Sequence, residues 1–262
     1  MKQLIIFSLF VFVVRVVYAQ PTAPVDKVWV PVTELSDEFN GTELDNSKWL
    51  PYLPYWTGRF PSYFDSTNVS MANGNLMLKA TVANYDQTGA WIKTCCVSSK
   101  TTSMKVGYYS EARIKCPTLS LSGSFWFQGK YSEIDVIENF GAPASPKYAG
   151  HERHMKTNVH YFKNGWDKDV AYPWWGNILP TSCADSYYTY GVWWKDNKTI
   201  IFYLDGKAVR TTNIDHEFNE DMYMFFDIEA FTWAGLPSIS CLDNPAKNTH
   251  YVDYVRTYSL VN

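Results

Sequence analysis

Tyr131-Ser132-Glu133-Ile134-Asp135-Val136-Ile137-Glu138-Asn139-Phe140-Gly141 sets three carboxylates among β-branched residues. Such a composition suits a strand, on which side chains alternate between the two faces. On a flat strand Glu133 and Asp135 share a face with Ile137, while Glu138 points to the other. A one-residue bulge between Asp135 and Glu138 shifts the parity, so that all three acids line one face and Ile134 and its neighbours pack on the other. Four strand steps of about 3.3 Å separate the two glutamate Cα atoms by roughly 13 Å. Inward lean on a twisted strand brings their carboxyl groups towards the ~5–5.5 Å spacing of a retaining pair. Asp135 between them disfavours simultaneous ionisation and keeps one group protonated near neutral pH. An acidic surface strand with lysine partners is the competing reading of the same alternation.

Working outward, strand signals cover residues 75–83, 107–115, 124–128, 132–138, 156–162, 188–194, 199–204, 207–212, 222–230 and 251–258. Asn73-Gly74 opens the first, and Asp205-Gly206 joins 199–204 to 207–212 as a tight hairpin. No helix of three turns, no βαβ alternation and no internal repeat is legible. The economical architecture is all-β, a sandwich of two antiparallel sheets packed face to face. No linker interrupts residues 28–262, which read as one domain; residues 20–27, with two prolines, read as an N-terminal tail.

Aromatic residues make up 17% of the 262 residues and charged residues 19%, which excludes a disordered, collagenous or coiled-coil chain. Many of these rings must fill the sandwich core. Tyr55, Trp56, Trp126, Trp174, Trp175 and Trp233 lie beside polar or Gly/Pro-rich loops and are candidate sugar platforms. Residues 1–19 carry Lys2, an apolar run and Val17-Tyr18-Ala19, the pattern of a cleaved secretory signal, and are short for a membrane span. The expected location is therefore secreted, periplasmic or cell-surface. Loss of Lys2 and Arg15 leaves 21 basic against 26 acidic residues, a net charge of −5, with no basic footprint for nucleic acid. Cys95, Cys96, Cys116, Cys183 and Cys241 form no zinc motif, and their pairing is not legible; Cys95 and Cys96 should face opposite sides of a strand. Asn40, Asn68 and Asn197 fit the glycosylation sequon.

The acidic stretch resembles the active-site strand of glycoside hydrolase family 16, Glu-x-Asp-x-x-Glu. The likeness extends through Leu35-Ser36-Asp37-Glu38-Phe39-Asn40-Gly41, Lys48-Trp49, Gly107-Tyr108-Tyr109 with Glu111-Ala112-Arg113, Ser124-Phe125-Trp126 and Val252-Asp253-Tyr254-Val255-Arg256. The resemblance implies a β-jelly roll with a concave cleft and double-displacement hydrolysis. By position it makes Glu133 the nucleophile, Asp135 its orienting carboxylate and Glu138 the general acid and base. Trp126, His160, Glu229 and Trp233 resemble positions that line the cleft; a core histidine and an exposed core edge are the alternatives for His160 and Trp233.

Ser132 before the nucleophile and the Gly123-Ser124-Phe125-Trp126 approach depart from the laminarinase pattern. Tyr55-Trp56-Thr57-Gly58-Arg59, Tyr190-Gly191-Val192-Trp193-Trp194 and Phe231-Thr232-Trp233-Ala234-Gly235-Leu236-Pro237 look like the branch acting on red-algal galactans, the agarases and porphyranases. Arg59 and Arg153 are then candidates to meet sulfate esters, with a structural hydrogen bond the alternative for Arg59. The expected partner is a galactan, met by a monomer without a membrane after signal cleavage. A laminarinase-type glucanase and a non-catalytic carbohydrate-binding jelly roll are the competing functions. Catalysis needs no cofactor; the family resemblance allows a structural calcium at Asp253 and the backbone near Asn73-Gly74, against hydrogen bonds of Asp253 within its own sheet.

Overall fold

The computed structural model describes residues 20–101 and 104–262, so the leader expected over 1–19 lies outside the described residues. Two large antiparallel sheets dominate. One runs, edge to edge, Val170–Ala171, His154–Tyr161, Ser132–Phe140, Ser122–Gln128, Tyr223–Glu229, Cys96–Ser99 and Trp49–Leu50, with Trp174–Asn177 also paired to His154–Tyr161. The other runs Lys207–Asn213, Thr199–Leu204, Tyr188–Asp196, Tyr109–Lys115, Thr249–Val261, Asn75–Lys79 and Val69–Ala72, and Val28–Pro31 joins it against Thr249–Val261. This is the jelly-roll sandwich expected. A small third sheet departs from it, because Ser62–Phe64 pairs parallel with Ile92–Thr94. Helix among the described residues amounts to 3-10 turns and the four residues Ile239–Leu242.

Local chemistry explains the sharpest reversals. Asn73 and Gly74 have φ 53° and 70°, and Asp205 and Gly206 48° and 74°, so each pair supplies the two left-handed residues that a tight hairpin between right-twisted strands requires. Alternation then builds the core between the sheets. Phe125 and Phe127 point inward, and Phe125 stacks on Phe226 at 4.9 Å. Met155 and Val159 join them from two strands away, and the same core takes in Ala112, Ile114, Val192, Trp194, Phe202, Val252 and Val255 of the opposite sheet. Cys95 belongs to this main core and Cys96 to a separate cluster with Leu53, Trp126 and Phe225, so the adjacent cysteines do face opposite sides.

Several elements escape simple alternation. The strands Cys96–Ser99 and Ile92–Thr94 are short and almost wholly buried, leaving no two-residue polar rhythm to read. The segment before residue 28 is tied down at two points: Trp29 Nε1 donates to the Pro21 carbonyl at 2.7 Å and Lys27 Nζ donates to Asn262 Oδ1 at 3.0 Å. Asn68 is buried and its amide donates to the Lys79 and Lys93 carbonyls and to Thr81 Oγ1, so this sequon has no side chain free to carry a glycan.

Candidate active site

The bulge is present, at Val136. Trp126 of the neighbouring strand opposes Asp135 and Phe125 opposes Ile137, which leaves Val136 without a partner. Val136 and Ile137 are therefore consecutive core residues, both fully buried, and the parity change returns Glu138 to the face that carries Glu133 and Asp135. Serine opposite Glu138 (Ser124) and asparagine opposite Asp135 (Asn158) keep the facing positions small or polar.

Above this face opens a cavity of about 680 Å³, lined by Glu133, Asp135, Glu138, Trp56, Arg59, Trp126, His160, Glu229 and Trp233, with Tyr55, Trp166 and Phe231 adding further rings. Tyr55 and Trp233 are well exposed, at 58% and 38%, whereas Trp126 is 6% exposed and packs flat on Phe225. Trp126 thus forms the floor and its Nε1 donates to Asp227 Oδ2 at 2.9 Å. Trp174 does not reach the cleft; it packs against the edge of the core, and Trp175 lines only an adjoining recess.

Hydrogen bonds hold the acids in place. Gln128 Nε2 donates to Glu133 Oε2. His160 Nε2 lies 3.4 Å from Asp135 Oδ2 and 4.0 Å from Glu133 Oε1, while its Nδ1 is 2.6 Å from Asp169 Oδ2. Burial alone would pull the imidazole down, but Asp135, Glu133 and Asp169 push its pKa up to about 10; the Asn158 amide nitrogen also lies 2.7 Å from Nε2. Burial, then Asp135, raises the Glu133 carboxyl well above the ordinary range, and burial with Glu138 raises Asp135. Glu138 goes the other way. Burial would raise it, yet Lys156, His160 and Arg59 together hold it below the ordinary glutamate value. On the adjacent strand burial pushes Asp227 up to about 6 and, with Asp227, raises Glu229.

Glu133, Asp135 and His160 offer ligand-type atoms within 4.8 Å of one another, the one such trio among the described residues. A histidine already bridged between carboxylates is a poor metal ligand, and the trio reads as an acid–base cluster. At the position suggested for calcium, Asp253 Oδ2 instead accepts a 2.5 Å hydrogen bond from Arg113 Nη1, and Asn75 Oδ1 accepts from the Tyr187 hydroxyl. With its carboxylate neutralised by a guanidinium, Asp253 does not fit a calcium site.

Two arginines were candidates for an anionic sugar, and only Arg59 is in the cleft. Its Nε donates to Glu229 Oε2 at 2.9 Å, its guanidinium carbon sits 4.3 Å from the Phe231 ring centroid, and the side chain is 47% exposed. Arg153 lies on an outer 3-10 turn, exposed, with Nε donating to the Leu179 carbonyl. It ties two loops together and does not line the cavity. Lys156, Asn158, Gln128, Asp169, Trp166 and Phe231 do line it and were not anticipated. The first two were legible in principle, because Lys156, Asn158 and His160 are spaced by two along one strand and must share its face. Gln128 was legible in the same way, two residues beyond Trp126 on its strand, whereas Asp169, Trp166 and Phe231 arrive from loops with no local periodicity to announce them.

Carboxyl groups working in concert beneath a trough of aromatic rings and hydrogen-bonding groups is the chemistry of sugar acetals, and the fold and site together define a glycoside hydrolase. A family model described as the GH16 domain of β-porphyranases A–D matches residues 29–260. The chain therefore belongs to glycoside hydrolase family 16, in its β-porphyranase group. It is 33% identical over 251 residues to β-porphyranase E of Zobellia galactanivorans, spanning 89% of this chain and 88% of that protein. A β-agarase of Phocaeicola plebeius is 29% identical over 268 residues, spanning 86% of this chain and 84% of its own length. The crystal structure of the β-porphyranase BpGH16B from the human gut bacterium Bacteroides plebeius superposes with a TM-score of 0.83 at 29% identity, covering 93% of this chain and 96% of that one.

Proposed function

We propose that this chain is a secreted, retaining endo-hydrolase that cuts internal β-1,4-galactosidic bonds of porphyran or agarose. The observation that carries this reading is the Val136 bulge, which puts Glu133, Asp135 and Glu138 on one face beneath a cavity lined by Tyr55, Trp56 and Trp233. In the first half-reaction Glu133 attacks the anomeric carbon while Glu138 delivers a proton to the departing glycosidic oxygen. In the second, Glu138 takes a proton from water, which displaces Glu133 and restores the starting configuration. Asp135, held by His160, orients Glu133 and shares its charge.

Arg59 supports the sulfated substrate. Only its Nε is engaged by Glu229, and the exposed fork of the guanidinium beside Trp56 and Phe231 suits a sulfate oxygen pair over a sugar ring. Secretion rests on the leader-like residues 1–19; no helix among the described residues is long and apolar enough to cross a membrane.

The test is a digestion panel of porphyran, agarose, carrageenan and laminarin, with reducing ends counted and products sized. Internal cuts in porphyran or agarose, with the β-anomer appearing first by NMR, are the expected result. Release from laminarin alone would overturn the substrate, and binding of galactans without turnover would make the chain a carbohydrate-binding module.

A further inference from the structure

In the free cleft Glu138 is held as a carboxylate, the reverse of what proton delivery in the first step needs, and Lys156 is its direct partner. Lys156 Nζ donates to Glu138 Oε2 at 2.7 Å, and the two side chains are only 12% and 18% exposed. The same ammonium sits 5.2 Å from the ring centroids of Phe231 and Trp233, 5.4 Å from Trp175 and 5.7 Å from Phe140. Four rings around one cation stabilise its charge beside the carboxylate. Two of those rings, Phe231 and Trp233, line the main cavity, and Trp233 is open to solvent.

Resting on the glycosidase reading above, the geometry points to Lys156 as a proton gate on the acid/base: it clamps Glu138 as a carboxylate in the empty cleft and is drawn off when a sugar ring seats on Trp233. Glu138 then takes a proton from solvent, and that proton passes to the glycosidic oxygen as its bond to the anomeric carbon breaks. Lys156 is thus a positioning residue, acting through Glu138. The other groups facing Glu138 do not reproduce the gate. His160, from the same strand as Lys156, is locked between Asp135 and Asp169; Arg59 is bonded to Glu229; Glu133, Asp135, Asp227 and Glu229 push in the opposite direction. His151 and His154 line the recess behind Glu138 but pack on each other, with His151 also against Trp175.

Two measurements decide it. Carboxyl ¹³C titration of the free protein should show Glu138 below the ordinary range in wild type and K156R, and moved up by at least one pH unit in K156M; an unmoved Glu138 in K156M overturns the clamp. Calorimetry of porphyran and agarose oligosaccharides binding to E133Q, in buffers of different ionisation enthalpy, should show uptake approaching one proton. That uptake should persist in E133Q/K156R and fall by half or more in E133Q/K156M. Binding with equal uptake in all three overturns the gate. If neither oligosaccharide binds, the substrate reading fails while the titration still decides the clamp.

Discussion

At the scale of single residues, the cleft separates groups that do chemistry from groups that set its charge. Glu133→Gln should lower turnover by several orders of magnitude with the fold intact, and Glu133→Ala with added azide should give an inverted glycosyl azide. Glu138→Gln should cost about 10²–10⁴ in kcat on a polysaccharide, and far less on an aryl glycoside whose leaving group needs no proton. The pH profile follows from the directions of the two pKa shifts. Attack needs ionised Glu133 and proton donation needs protonated Glu138, and with the first value raised and the second lowered the reactive combination is a minority form. The bell of kcat/KM against pH should climb up to the lowered Glu138 value, stay level between the two, and fall above the raised Glu133 value; a flat profile across both limbs would count against these roles. His160 gives a stability signature of its own. Its folded pKa of about 10 exceeds the ordinary 6.5, so its contribution is complete below about 6.5 and is lost as pH rises through about 10. The melting-temperature gap between wild type and His160→Gln should therefore be widest in acid and close in strong alkali.

At the scale of elements, the acidic strand does its work through one surplus residue. Deleting Val136 would remove the surplus residue and leave Glu133-Ile134-Asp135-Ile137-Glu138 in plain alternation, with Ile137 inward and all three acids still facing the cleft; the expected outcome is a protein that still folds, destabilised in urea unfolding by the lost Val136 side chain. Ile137→Ala should cost about 2–5 kcal/mol by the same measurement and leave the acids aligned. The bulge was legible because three acids in the spacing Glu-x-Asp-x-x-Glu make no sense on a straight strand. The hairpins at Asn73-Gly74 and Asp205-Gly206 were legible because left-handed backbone demands those residues. What stayed hidden has a common cause. Lys156 touches Glu138 across a strand pair, Asp169 reaches His160 from a loop, and Arg113 captures Asp253 from the neighbouring strand. Contacts of that kind depend on strand register and loop path, which residue types and their spacing do not reveal.

At the scale of the whole molecule, the sandwich divides labour between its two sheets. The sheet that carries the cleft spends one face on the core and the other on the substrate, so its strands show apolar residues alternating with acids, amides and rings. Glu133, Asp135, Glu138, Trp56, Arg59, Trp126, His160, Glu229 and Trp233 line the cleft, whereas Arg153 does not and Asp253 is paired with Arg113. The last two are charges, whose meaning is set by whatever stands opposite. All five cysteines are free, and only Cys241 is not fully enclosed. A thiol reagent should therefore label the native protein at no more than about one site, with the remainder reacting only in denaturant.

The sheet that holds the cleft ends on both sides in short strands, Trp49–Leu50 on one and Val170–Ala171 with Trp174–Asn177 on the other. Margins this brief offer an incoming polypeptide almost no run of unpaired amides to zip onto. A catalyst that lays a ring-lined trough open to long polymers is thereby shielded from recruiting its own copies into fibrils, and the hollow stays free for sugar.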